Sequence, residues 1–300
     1  MPALLALVLW PGSGFAQDNN GRLQTSFTNP TPAASDLFGS SLAVLAGDRV
    51  LVGAYGYYSG AVQAGRAYLF HTNGTLLTTF TNPSPSTAQA FGWSVAGLNG
   101  DRVLIGTGGR RAYLFSTNGA LLTTFTNPIP TADGGFGISV AGVGTHRILI
   151  GAPYDSTGAH TAGSAHLFDT NGVLLTTFRN PSPQASDNFG SSVAAVGSDL
   201  ILIGAELDSL GAEAGESTYI AGAAYLFDLP YPSLSIVQST TTMSLKWVSA
   251  ETGLVLQQAS LLGAINLWSN TTDTVSVTGP TNSLQQAISS TNRFYRLGRP

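Results

Sequence analysis

Short apolar runs of four to six residues, each bounded by Gly, Asn, Asp or Pro, recur in one fixed order along residues 23–229. The order is FGxSVA, then RVLIGA or a close variant, then AYLF, then LLTTF. Runs of this length between turn residues predict β-strands.

The spacing turns these runs into a repeat. LxTxF begins at Leu23, Leu76, Leu121 and Leu174, and Phe-Gly falls at Phe38, Phe91, Phe136 and Phe189. The β-branched run closes at Gly53, Gly106, Gly151 and Gly204, and AYLF starts at Ala67, Ala112, Ala165 (as AHLF) and Ala224. From LxTxF to Asn-Pro is always 6 residues, from Asn-Pro to Phe-Gly always 9, and from Phe-Gly to the closing Gly always 15. Only the step from that Gly to AYLF varies, at 14, 6, 14 and 20 residues. Each repeat is therefore one rigid unit. All change in length falls in a single loop, where repeat proteins place binding variation.

Four short antiparallel strands per repeat predict a β-propeller blade. The blades span about 23–75, 76–120, 121–173 and 174–229. Thr72-Asn73-Gly74, Thr117-Asn118-Gly119 and Thr170-Asn171-Gly172 supply the positive φ of a tight hairpin between the last two strands. Pro32, Pro85, Pro130 and Pro183 mark the stretch between Asn-Pro and Phe-Gly as a crossing between blades, because proline cannot donate within a sheet. Leu23–Phe27 precedes the first Phe-Gly and no LxTxF follows Ala224. The first strand is therefore expected to complete the last blade, which would remove an open edge. Four blades make a small ring, so two chains sharing a larger ring, or further blades upstream of a misplaced start, stay open as alternatives.

Composition narrows the function. Charged residues are only 9% of the 300, the net charge is −4 and Lys246 is the single lysine, so no basic surface exists to neutralise a nucleic-acid backbone. With no cysteine, disulfides, thiolate nucleophiles and Cys-ligated zinc are excluded. The apolar run Ala3–Trp10, followed by Gly14 and Ala16 ahead of Gln17, reads as a secretory signal over residues 1–16, without the usual positive start. It is too short to span a bilayer as a helix. Secretion or display at the cell surface is the expectation.

After Pro230 and Pro232 the blade motifs stop. Runs at 234–237, 244–248, 254–258, 274–278 and 294–297 predict a small β-sandwich of immunoglobulin or fibronectin type over residues 230–300. The fold class is thus all-β: a propeller over residues 17–229 plus this C-terminal module.

The recurring Phe38-Gly39 with Gly53-Ala54-Tyr55, Phe91-Gly92 with Gly106-Thr107-Gly108, Phe136-Gly137 with Gly151-Ala152-Pro153, and Phe189-Gly190 with Gly204-Ala205-Glu206 resemble the FG-GAP repeats of integrin α subunits and exported bacterial proteins. The resemblance covers about residues 23–229 and implies adhesion or ligand binding. It also implies calcium in a D-x-D-x-D-G loop between the first two strands. The matching turns here end at Asp48, Asp101, His146 and Asp199, each with at most one carboxylate, whereas calcium takes six to eight oxygens. No metal or other cofactor is expected.

Candidate ligand-binding residues concentrate in the variable loops: Tyr55, Tyr57 and Tyr58; Arg110 and Arg111; Tyr154, Asp155 and His160; and Glu206, Asp208, Glu213, Glu216 and Tyr219. Tyrosine and arginine combine apolar area with a polar tip, which suits a protein or carbohydrate ligand at the cell surface. The plain alternative is that these are solvated loop tips. The histidines fall at four different points of the repeat, and no base sits beside a nucleophile at a recognisable spacing. Asp36 and Asp187, two residues before Phe-Gly, fit turn capping. A non-enzymatic binding or adhesion protein is the expectation, with a homodimer open. Two alternatives remain: a polysaccharide-active enzyme with a site composed across blades, and a spacer presenting the C-terminal module.

Overall fold

A computed structural model describes residues 22–229, apart from 57, 60–61, 86–89, 130–133 and 210–220, and beyond them the strands between residues 235 and 298. The chain is all-β. The first blade is a sheet ordered β1 (Ser41–Leu45), β2 (Arg49–Ala54), β5 (Arg66–His71), β6 (Leu76–Thr81), with β3 (Tyr58–Ser59) and β4 (Val62–Gln63) forming a small hairpin in its variable loop. The second contains β7 (Ser94–Leu98), β8 (Arg102–Gly106), β9 (Arg111–Ser116) and β10 (Leu121–Thr126), and the third β11 (Ser139–Val143), β12 (Arg147–Ala152), β13 (Ser164–Asp169) and β14 (Leu174–Arg179). The fourth has three strands, β15 (Phe189–Val196), β16 (Leu200–Ala205) and β17 (Ala223–Asp228).

The hairpins between the last two strands form as expected, with one difference in turn type. Gly74, Gly119 and Gly172 have φ of 93, 95 and 92°, but the asparagines before them do not adopt positive φ. The register shifts by one residue beside each turn. A type I turn closed by a glycine bulge produces this pattern, and the Asn73 side chain caps it by accepting from Thr75 N at 3.0 Å.

Three apolar clusters lie between blades. Leu45, Leu51, Leu69 and Phe80 of the first blade meet Phe91, Val95, Val103, Ile105 and Phe115 of the second, and the same positions repeat at the next two joints. Each Phe-Gly phenylalanine is fully buried there, edge-on to the phenylalanine of the AYLF motif: Phe91 to Phe115 at 6.1 Å, Phe136 to Phe168 at 6.0 Å, Phe189 to Phe227 at 6.0 Å. The backbones approach as closely as the side chains. A Cβ at Gly53, Gly106 or Gly151 would stand 2.2, 2.1 or 2.0 Å from the carbonyl oxygen of the following blade's Phe-Gly glycine. That oxygen accepts from Ser41, Ser94 or Ser139 Oγ at 2.8, 2.8 and 2.7 Å. Only glycine admits the contact, which explains its place in the first three repeats.

The expected closing strand is not formed. Residues 22–29 carry no strand, and β17 has no outer neighbour among the described residues. Phe27 instead rests on Phe70 of the first blade, 5.3 Å between rings, the contact that Phe80, Phe125 and Phe178 each make with the following blade. The seat for an outer strand is thus occupied from the first blade's side, while the last blade's ladder stays open. Leu42 and Val44 on the first blade are 70% and 80% exposed, and Leu226 on the last is 58% exposed.

The C-terminal segment forms two antiparallel sheets: β18 (Ser235–Gln238), β19 (Thr242–Val248), β23 (Thr281–Ala287) and β22 (Ser276–Thr278) in one, and β21 (Ser269–Asn270), β20 (Val255–Ala259) and β24 (Phe294–Gly298) in the other. Leu245 and Leu284 of the first meet Leu256 of the second in one buried cluster. β23 escapes sequence reading because Leu284 is its only large apolar residue.

Gly106→Ala is expected to destabilise the protein by about 3 kcal/mol or more, since backbone must move to admit the methyl. Gly100→Ala, where nothing lies within 4 Å, should cost only the roughly 1–2 kcal/mol of a left-handed backbone. Urea denaturation midpoints of the two variants check the contrast.

Candidate binding rim

Antiparallel pairing fixes where the variable loops stand. Ser41 pairs with Gly53, so the start of β1 and the end of β2 share one end of the blade, opposite the Asp48 turn. The variable loops and the Asn-Pro crossings therefore form one rim. They are tied together: Gly56 N donates to Asp36 O, Tyr154 N to Gly134 O and Leu207 N to Asp187 O, at 3.1, 3.0 and 3.3 Å. The first three loops also end on the next blade, through bridges from Gly65 to Phe91, Arg110 to Phe136 and Gly163 to Phe189.

The asparagine of each Asn-Pro caps its own turn. Asn29, Asn82, Asn127 and Asn180 Oδ1 accept from the backbone N two residues on, at 2.9 to 3.0 Å. Asp36 and Asp187 accept from Ala33 N and Gln184 N, both at 2.7 Å, in the turn-capping role their position suggests. In the fourth blade Asn180 Nδ2 donates to both Asp187 and Asp208, at 2.7 and 2.8 Å. One amide thus pins the crossing to the variable loop. Asp208 also accepts from the Tyr225 hydroxyl. Burial raises the Asp187 pKa, with Asp208's charge adding to it, and burial followed by the Asp208 hydrogen bond pushes Tyr225 up to about 12.

Asp208 and Asp155, expected on the rim as ligand contacts, are buried instead, at 3% and 1% exposure. Asp155 accepts from Thr157 N and Oγ1 at 2.9 and 2.8 Å and bonds the Ser164 hydroxyl. A carboxylate four residues past the closing Gly folds back under the loop to hold its turn. Ser164 continues to His166 Nε2 at 3.0 Å, and His166 Nδ1 meets Thr177 Oγ1 at 3.0 Å. Since Asp155 only accepts, the consistent order runs Thr177 O–H to Nδ1, Nε2–H to Ser164, and Ser164 O–H to Asp155. His166 occupies the place of Tyr68, Tyr113 and Tyr225 and is fully buried, as is Ser164. The serine, histidine and aspartate thus form an interior brace between β13, β14 and the loop, closed to any substrate.

Of the other expected residues, Tyr154, Arg110, His160 and Glu206 are exposed, and Arg111 is half-buried at the start of β9. His160 O accepts from Ser186 N at 2.8 Å, and Glu206 Oε1 accepts from Asn188 Nδ2 at 3.4 Å. Tyr58 lies in β3, while Tyr57, Glu213, Glu216 and Tyr219 lie outside the described residues. The structure adds Trp93. It follows Phe91-Gly92 where the other blades have Ser40, Ile138 and Ser191, and its ring lies 4.5 Å from that of Tyr55. At 39% exposure, Trp93 shares with Tyr55 an aromatic platform across the first joint. The lone tryptophan at a repeat position otherwise held by small or aliphatic residues was the available signal.

The four turns that would carry calcium do not fit it. Backbone carbonyls of Asp48, Asp101, His146 and Asp199 close them onto Thr72, Thr117, Thr170 and Leu229 N, and Asp101 faces Arg49 at 3.6 Å. No group of three or more acidic, histidine or cysteine side chains suited to a metal occurs among the described residues.

Protonation of His166 has a cost that sets acid stability. Burial, opposed by the Asp155 charge and aided by that of Arg179, lowers its pKa to about 4; Asp155 itself, raised by burial, ends below its ordinary value through its hydrogen bonds and His166. The unfolded imidazole titrates near 6.5, so stability is intact above that pH and falls as pH drops from about 6.5 to about 4, by about 2–3 kcal/mol at pH near 4.5. His166→Tyr, the residue of the other blades, should flatten this fall in urea midpoints compared between neutral and mildly acid pH.

One family of known proteins matches the repeat in sequence. The FG-GAP repeat family matches residues 22–70 and 182–227. No curated protein matches the sequence. Among solved structures, the crystal structure of the computationally designed Ika4 protein is similar at 15% identity and a TM-score of 0.42, over 70% of this chain and 99% of that one. The family match falls on the first and last copies of a unit whose register is the same in all four, so the chain carries FG-GAP repeats at these two copies, on propeller-like blade sheets.

Proposed function

We propose that this chain is an exported, non-catalytic binding protein of adhesion type that contacts a protein or glycan through the variable-loop rim. The observation that carries the reading is the Tyr55–Trp93 pair, which joins two blades into one half-exposed aromatic surface on the rim that takes all insertions. The two rings, tilted 45° to each other, present rigid apolar area at low entropic cost, suited to a sugar face or an apolar side chain. Exposed Arg110 stands on the same rim and supplies a charged donor. Export rests on the apolar run Ala3–Trp10. The C-terminal pair of sheets serves as a separate sandwich-like module for display or attachment.

Trp93→Ala and Tyr55→Ala should each weaken capture by tenfold or more, the scale of about 1.4 kcal/mol, on a glycan array and in pull-downs from surface and medium fractions. Capture unchanged by both substitutions would overturn the rim as binding surface and leave a spacer as the role of the blades.

A further inference from the structure

We propose that a second copy of this chain docks head to tail on the open joint, the last blade of one copy packing on the first blade of the other. The proposal concerns assembly and stands independently of any rim ligand.

Both halves of a joint are present and, among the described residues, both are unfilled. In each internal joint the Phe-Gly glycine lies against a backbone carbonyl of the preceding blade: a Cβ at Gly92, Gly137 or Gly190 would be 2.3, 2.4 or 2.3 Å from Arg66, Arg111 or Ser164 O. At Gly39 nothing lies within 4 Å. The complementary seat is equally open. Gly53, Gly106 and Gly151 each face the next blade's glycine carbonyl, whereas Gly204, at the same position of the last blade, faces only Ser192 of its own sheet.

The side chains repeat the pattern. Val196, Leu202 and Leu226 take the positions of Leu45, Leu51 and Leu69 and are 44%, 37% and 58% exposed. Leu42 matches Val95, Val44 matches Gly97, and Val50 matches Val103 on the receiving side. Both faces are apolar at these positions, and together they would bury large aliphatic groups that now meet water.

The outer strand is also in place. Thr25 Cγ2 stands 3.3 Å from the Cβ position of Gly74, as Thr78 Cγ2 does at Gly119 (3.4 Å) and Thr123 Cγ2 at Gly172 (3.2 Å). Leu23–Phe27 thus occupies an outer-strand position against the first blade without a ladder, while β17 has a ladder edge without a strand. Docking joins the two. Self-closure of four blades would instead have to bend three joints whose backbones are already in contact. One element of the internal joints is missing: Arg49, Arg102 and Arg147 donate across to Gly100, Thr145 and Ser198 O, and Leu200 stands at their place in the last blade. The new joint is therefore more apolar than the others.

Light scattering of the full chain over a dilution series should give a dimer, twice 30.9 kDa, if two joints close a ring, or longer assemblies if they do not; either supports the joint. Leu42→Asp and Leu226→Asp alter exposed positions on opposite faces. Each variant alone should be monomeric, and mixing them should restore a dimer, because each retains the face that the other lacks. Hydrogen exchange at Ala223–Asp228 should be slow in the unsubstituted chain and fast in either variant. A monomeric unsubstituted chain, assemblies that survive both substitutions, or no recovery on mixing would overturn the proposal.

Discussion

The glycine-to-carbonyl contact between successive blades is the constraint on which the rest depends. A closing glycine on the second strand admits the carbonyl of the next Phe-Gly to about 2 Å from where a side chain would begin, and a serine hydroxyl holds that carbonyl in place. Once the backbones sit this closely, the buried phenylalanines meet edge to face and the leucines interdigitate. The same contact orients every blade alike, so four separate loops become one rim.

Behind that rim, polar side chains brace the loops from within. Asn180 spans two carboxylates in the fourth blade, and the Thr177–His166–Ser164–Asp155 chain braces the third. Buried polar groups are tolerated because most are hydrogen-bonded, although six side-chain atoms of the described residues, Tyr113 Oη and one oxygen each of Asp36, Asp155 and Gln258 among them, are not. The braces use the residues that look most like chemistry in the sequence. Their burial makes them structural and leaves the exposed aromatic and basic residues as the surface a ligand would meet.

The repeats, the strand order, the hairpins and the confinement of insertions to one loop were legible because constant spacing is a one-dimensional signal. The turn type was less so: Asn-Gly fits two hairpin geometries, and the one-residue register shift beside it chose between them. Asp155 and Asp208 could not be placed from their loop position, since a short side chain in a turn can point to solvent or back to its own backbone. Trp93 belongs to a different blade from Tyr55, and only blade packing brings them to 4.5 Å.

By itself the sequence determined the unit: which residues form each blade, where each run closes on glycine, and that one repeat recurs in four constant registers. Those are local properties, set by strand periodicity, turn chemistry and the absence of a Cβ. Tertiary structure decided what the units do together. It seated Phe27 on the first blade without pairing Leu23–Phe27 to β17, buried two carboxylates, and left a donor face and an acceptor face exposed at opposite ends. The reason is that closure depends on the accumulated rotation of three rigid joints, which no residue encodes alone.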